Sequence, residues 1–157
     1  MNGVALVWVG RRASEPYESL CGEYAKRLRR HLAFAEVRVQ PAEGRDDPRR
    51  ALAKEAEKVR RHLSPGDAVI ALDERGRERT TEGLARWLQE QAGSRRVAFV
   101  IGSDLGLDAA LKEGAAGRFS LSRLTLPHPL ARLVLLEQLY RACDLLAGGQ
   151  YHRGNLG

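Results

Sequence analysis

The feature that most constrains this chain is Val97-Ala98-Phe99-Val100-Ile101, five apolar residues in a row closed by Gly102. A β-strand points successive side chains to opposite faces. A strand with no polar position leaves no face for water, so it belongs at the centre of a parallel sheet covered on both sides. Val4 to Val9, ending at Gly10, is a second run of the same kind. Asp67 to Leu72 is a third strand, leading into a turn at Asp73-Glu74-Arg75-Gly76. Phe34 to Val39 alternates apolar and polar residues, and Phe119 to Leu121 is a short last strand.

Between these runs the apolar period becomes helical. Pro16 to Arg30 carries Tyr17, Leu20, Tyr24 and Leu28 at steps of three and four. Pro48 opens a helix with the stripe Leu52, Ala56, Val59 and Leu63, ended by Ser64-Pro65-Gly66. Thr81 to Gln91 turns Leu84, Trp87 and Leu88 inward before the break at Gly93-Ser94, and Asp108 to Gly114 is a short helix. Pro129 starts a final helix running to about Ala147. Alternating strands and helices predict an α/β fold, a parallel-type sheet covered by helices on both faces. Ligands in such folds bind beyond the carboxyl ends of the strands, which singles out the loops after Leu72, Ile101 and Leu121. Connection rules exclude threaded chains, so these patterns alone predict an open doubly wound sheet. The length of 157 residues suits a single domain over residues 1–157, closed by a polar tail at 148–157.

Charge narrows the partner class. The net charge is +6, and of 26 basic residues only Lys26, Lys54, Lys58 and Lys112 are lysines. A basic surface attracts polyanions, and guanidinium groups grip phosphate bidentately and stack on bases. Cys21 and Cys143 form no CxxC pair and stand near no histidine at ligand spacing, so no metal is expected. No apolar run approaches the roughly 20 residues needed to span a bilayer. Met1 to Gly10 reads as a strand rather than a signal peptide, and the expected location is the cytoplasm.

Four segments carry chemistry. Gly102-Ser103-Asp104-Leu105-Gly106 follows the central strand, where glycine lets backbone approach a ligand; it is neither a dinucleotide fingerprint nor a P-loop. Leu126-Pro127-His128-Pro129 brackets one histidine between prolines just before a long helix, placing His128 at or near the N-cap. Histidine caps poorly, and such a mismatch marks a candidate functional position. The final helix has Leu130, Leu133, Val134, Leu135, Leu136, Leu139, Leu145 and Leu146, too many for one stripe, which predicts a helix shared between core and subunit interface. The tail holds Tyr151, His152 and Arg153, a set able to stack on a base, move a proton and hold a phosphate, on a segment without apolar anchors that would otherwise fray.

Taken together, these segments resemble one family. Phe99-Val100-Ile101-Gly102, Ser120 to Pro129, Glu137-Gln138-Leu139-Tyr140-Arg141-Ala142 and Tyr151-His152-Arg153 are similar, in order and spacing, to the bacterial 23S rRNA pseudouridine-1915 N3-methyltransferases of the knotted SPOUT superfamily. Val7-Trp8-Val9-Gly10 and Leu72-Asp73-Glu74-Arg75-Gly76 fit as well. The resemblance implies a C-terminal trefoil knot, S-adenosylmethionine as methyl donor, 23S rRNA within the ribosome as partner, and a homodimer whose terminal helices complete each site. It implies donor contacts at Leu72, Gly102, Leu121, Ser122, Arg123, Leu124, Thr125 and Leu126. It implies catalytic roles for His128, Tyr151, His152 and Arg153, the tail contributing to the active site, with no metal. The chain departs from the family pattern at Ser103-Asp104-Leu105, where Gly-Gly-Pro-Glu-Gly or similar is usual, and in the extension Gly154 to Gly157. Two other readings are compatible with the residues: a knotted enzyme acting on another RNA base or a ribose 2′-hydroxyl, and a non-enzymatic RNA-binding α/β module.

Overall fold

The computed structural model describes residues 2–91 and 93–153; the extension Gly154 to Gly157 lies outside the described residues. Five parallel strands form one sheet in the order β2-β1-β4-β3-β5. In chain order the elements are β1 (Val4–Val9), α1 (Tyr17–Leu28), β2 (Phe34–Val39), α2 (Pro48–Arg60), β3 (Ala68–Glu78), α3 (Thr81–Gln91), β4 (Val97–Ile101), α4 (Ala109–Gly114), β5 (Gly117–Ser120) and α5 (His128–Leu146). The two all-apolar runs are the central strands: every residue of β1 and β4 is buried. Val4, Leu6, Trp8, Val97, Phe99 and Ile101 face a layer made by α1, α3 and α5. Val7, Val9 and Val100 face Ala56 and Val59 of α2 and Leu111 of α4. The period of two thus divides one strand between two cores.

The helices sit where the period placed them, but two stripes are rotated. In α1 the buried residues are Cys21, Ala25 and Leu28, while Leu20 is 42% exposed. The small Cys21 and Ala25 allow α1 to lie close to α5, and the tyrosines flank the contact. In α2 the buried set is Ala51, Glu55, Ala56 and Val59, not Leu52 and Leu63. A carboxylate on that face was invisible to apolar periodicity because its partners come from other loops. In α3, Ala85 joins Leu84 and Leu88 inside, and Trp87 is partly buried against Phe99.

β3 departs most from expectation. It does not stop at Leu72 but continues to Glu78, with Leu72 and Arg77 both in register with Phe119 of β5. Residues Asp73 to Gly76 are therefore extruded as a bulge instead of ending the strand. The Asp73 carboxylate accepts the Arg75 N–H at 3.0 Å. A Cβ on Gly76 would lie 2.7 Å from the Arg118 carbonyl carbon, so only glycine lets the strand return against β5.

The last helix packs between α1 and α3. Its N-cap is Pro127, which puts His128 at the first helical position rather than at the cap. Leu135, Leu136 and Leu139 are fully buried, each contributing about 2 kcal/mol by removal from water. Leu130, Leu133, Val134, Leu145 and Leu146 are half-buried. No helix among the described residues is long and apolar enough to cross a membrane.

Candidate active site

The loops after β3, β4 and β5 meet the start of α5 around a cavity of about 580 Å³, a size ordinary for a small-molecule site. Its walls include Leu72, Gly102, Leu121, Ser122, Leu124, Thr125 and Leu126, so seven of the eight donor-contact candidates share one space. Arg123 is not among the lining residues; it is exposed and ion-pairs with Glu78 at 2.6 Å. The bulge of β3 supplies Asp73 and Glu74, and Thr125 donates to the Glu74 carboxylate at 3.0 Å, tying the β3 loop to the β5 loop.

Gly102 is required by the loop itself. A Cβ there would collide with the Gly106 carbonyl and lie 2.8 Å from Cγ of Leu107. Gly106 donates its N–H to the Ser103 carbonyl at 2.8 Å and has φ of 92°, which only glycine adopts readily. The segment between them, Ser103-Asp104-Leu105, is held from below. Buried Glu55 accepts from Ser103 Oγ at 2.7 Å, from Arg45 at 2.9 Å and from the Ala42 N–H at 2.9 Å. Arg45 also ion-pairs with Asp104. The network joins the loop after β2 to the loop after β4. Glu55 was missed from sequence, since its partners Arg45, Ala42 and Ser103 come from other loops and leave no local signal.

A second, larger cleft of about 1030 Å³ lies beside the ends of β1 and β2. Ser103, Asp104, His128 and Pro129 line both spaces. His128 therefore stands at their junction. Its Nδ1 is buried without a hydrogen-bond partner among the described residues. Burial pushes its pKa below the ordinary imidazole value, and the charge of Asp104 only partly opposes this. Burial thus favours the neutral ring. One turn along α5, Arg132 donates to Glu36 at 2.5 Å and to Glu18 at 2.7 Å, and stacks 4.5 Å from the centre of the Trp8 ring. Trp8 donates its indole N–H to the same Glu36 at 2.9 Å. This network pins α5 to β1, β2 and α1.

Tyr151, His152 and Arg153 are elsewhere. They sit at the opposite end of α5, roughly 27 Å along the axis from His128 at 1.5 Å per residue over 18 steps. Tyr151 and His152 are docked rather than frayed, while Arg153 is exposed. Tyr151 donates to Glu137 at 2.8 Å, accepts or donates to Tyr24 at 3.3 Å, and packs 4.7 Å from Tyr140. Burial, then the hydrogen bonds with Tyr24 and Glu137, raise the Tyr151 pKa. Burial pushes the Glu137 carboxyl up, but hydrogen bonds from Arg141 and Tyr151 outweigh it and hold it low. His152 contacts Glu82 at 2.8 Å through Nε2, and Arg141 at 3.4 Å through Nδ1. Within one chain, then, the four catalytic candidates form two groups. Both cysteines are buried thiols, raised to about 11 by burial.

A family model described as predicted SPOUT methyltransferase matches residues 2–152. The chain belongs to the SPOUT methyltransferase family. Proteins named ribosomal RNA large subunit methyltransferase H are close in sequence: that of Bordetella pertussis is 44% identical over 148 residues, 92% of this chain and 95% of its own. That of an Anaeromyxobacter species is 45% identical over 152 residues, covering 94% and 97%. Among solved structures, a probable methyltransferase from Bordetella pertussis Tohama I superposes with a TM-score of 0.54 at 17% identity, covering 89% of this chain and 93% of that one, a likeness of fold. SPOUT methyltransferases are the knotted α/β superfamily that the resemblance implied, so the open sheet expected from connection rules gives way to that exception.

Proposed function

We propose that this protein transfers a methyl group from S-adenosylmethionine to N3 of a pseudouridine, position 1915, in 23S rRNA of the assembled ribosome, acting as a homodimer in the cytoplasm. The observation that carries the reading is the convergence of the β3, β4 and β5 loops on one cavity with an unpartnered histidine at its mouth. The SPOUT family and the rRNA methyltransferase names of the relatives support it.

The cavity fits the donor: Leu72, Leu121, Leu124 and Leu126 give it apolar walls, and the tight turn at Gly102 and Gly106 brings backbone to its edge. When bound, S-adenosylmethionine supplies an electrophilic methyl on a sulfonium cation. Water displaced from these walls once donor and target base are both bound favours a step in which charge is neutralised. His128, whose neutral form burial favours, takes the imide proton of N3. Arg153 and Tyr151 hold the target base or its phosphate. Their own chain cannot deliver them across the length of α5, so a second copy brings its tail to the mouth of the cavity. Half-buried Leu130 and Val134 supply apolar area for that association.

The test is methylation of intact ribosomes, isolated large subunits and naked rRNA, with nucleoside mass spectrometry of the product. A single N3-methylpseudouridine, with ribosomes the best substrate, is expected. A ribose-methylated product, or donor binding without transfer to any RNA, would sink the reading. Sedimentation should give twice the chain mass.

A further inference from the structure

The larger cleft beside β1 and β2 lies outside the cavity proposed for the donor, yet it shares four wall residues with it. Its arginines are of two kinds. Arg132 and Arg45 are committed: the first to Glu36 and Glu18, the second to Glu55 and Asp104. They build the floor. Arg11 and Arg12, on the segment between β1 and α1, are exposed and make no ion pair among the described residues. Arg38, at the end of β2, is exposed and gives one of its five N–H donors to the Gly10 carbonyl at 3.0 Å. Of the acidic lining residues, Asp104 is already paired with Arg45, leaving Glu43 against the three.

Three guanidinium groups faced by one free carboxylate leave this concave surface net positive, a field that favours an anion with several charges. The space leads past His128 into the donor cavity, so an occupant with repeated charges can lie along the cleft while presenting one group to His128. A nucleic acid strand has that form: phosphates at regular spacing and a base that turns aside. An acidic peptide offers charge but no group that needs the histidine.

We infer that this cleft binds the sugar-phosphate backbone of single-stranded RNA beside the target nucleotide, with Arg11, Arg12 and Arg38 on the phosphates. The inference rests on the proposed function for the identity of the RNA, but not for the test of binding. Trp8, covered on one face by Arg132, is part of the floor and not a stacking platform.

The probe is a fluorescently labelled decauridylate, its binding followed by anisotropy between about 50 and 200 mM salt. The variants are Arg11→Ala/Arg12→Ala, and Arg30→Ala/Arg61→Ala as a control of equal charge change at exposed positions away from the cleft. Loss of two phosphate contacts should flatten the dependence of log affinity on log salt by about 1.4, at roughly 0.7 per contact, and weaken binding about tenfold or more at low salt. The control should change neither by that much, and donor affinity and melting temperature should match wild type in both. Wild-type affinity and slope in the Arg11→Ala/Arg12→Ala protein would overturn the inference, as would failure of the native protein to bind decauridylate. Equal displacement of the probe by decaglutamate would show a generic acidic-peptide site and overturn it too. A shift from dimer to monomer with RNA binding unchanged would make the cleft an interface between copies, again overturning it. If the native protein methylates no ribosomal RNA but the slope falls as stated, the proposed function fails and the cleft assignment stands.

Discussion

The two ends of α5 are both rich in charge and aromatic rings, and they differ in what is left unsatisfied. At the C-terminal end, Tyr151, Glu137, Arg141, His152 and Glu82 answer one another, and neither large cavity reaches them. At the N-terminal end, Arg132 is fully paired, but His128 four residues earlier has a buried nitrogen with no partner among the described residues and a cavity on either side. Buried polar atoms are nearly always hydrogen-bonded, so an exception beside a cavity points to a ligand or a reaction. A polar cluster that is complete marks a docked surface; one that is incomplete marks a place where chemistry is expected.

The largest effect separates the two ends by activity. His128→Ala should lower methyl transfer to ribosomes by roughly 10²- to 10⁴-fold, the range for a positioned general base, with little change in unfolding free energy because Nδ1 has no partner to lose. Arg153→Ala should lower transfer as well. Co-expressed His128→Ala and Arg153→Ala subunits should recover about a quarter of wild-type turnover, since half of randomly assorted two-fold dimers are mixed and each mixed dimer keeps one intact site. No recovery on mixing would mean that the tail and His128 do not meet across subunits.

Stability should be most sensitive at Arg132. Arg132→Ala leaves Glu36 and Glu18 without their cation and should cost about 3 kcal/mol in urea unfolding. A cost below 1 kcal/mol would show that the two glutamates find water and that the network does not pin the helix. At the other end, Tyr151→Phe removes the hydroxyl's hydrogen bonds with Glu137 and Tyr24 in a half-buried cluster and should cost about 1.5 kcal/mol.

The smallest expected effect is in pH. The folded His128 has a pKa depressed below 6.5, so the unfolded chain binds the proton more readily. Stability is therefore retained above 6.5 and falls as pH drops from there toward the folded value. The acid limb of turnover should also lie below 6.5. A limb at or above 6.5 that disappears in His128→Ala would contradict burial as the controlling influence.

The sheet, its central strands and the three loops at its edge were legible in the sequence because burial on both faces leaves a continuous apolar signature, and β1 and β4 have it. The residues gathered around the cavity of the β3, β4 and β5 loops were singled out by resemblance, and at Gly102 the tight turn gives the motif its backbone purpose. What could not be read were contacts between charged residues far apart in the chain. Glu55 with Arg45 and Ser103, and Arg132 with Glu36 and Glu18, are separated by 10 to 114 positions, and no local period encodes such pairs. The continuation of β3 past Leu72 was hidden because Asp73-Glu74-Arg75-Gly76 has turn chemistry, which serves equally for a bulge when Gly76 can press against β5. The rotated stripe of α1 was hidden because Cys21 and Ala25 are small, while periodicity is dominated by large residues.

The position of α5 between α1 and α3 bears on how the chain reaches this state. A protein built from neighbouring contacts can fold from its beginning as it is synthesised; here α1 receives its main partner from residues more than a hundred positions later, as in the pair Glu18 and Arg132. Contacts of such long separation slow folding, because the chain loses the entropy of a large loop before gaining the contact. The apolar face of α1 that Cys21 and Leu28 define must therefore wait, uncovered, until the last helix has been made. Truncation within α5 therefore removes the cover from the first helix instead of merely shortening the last.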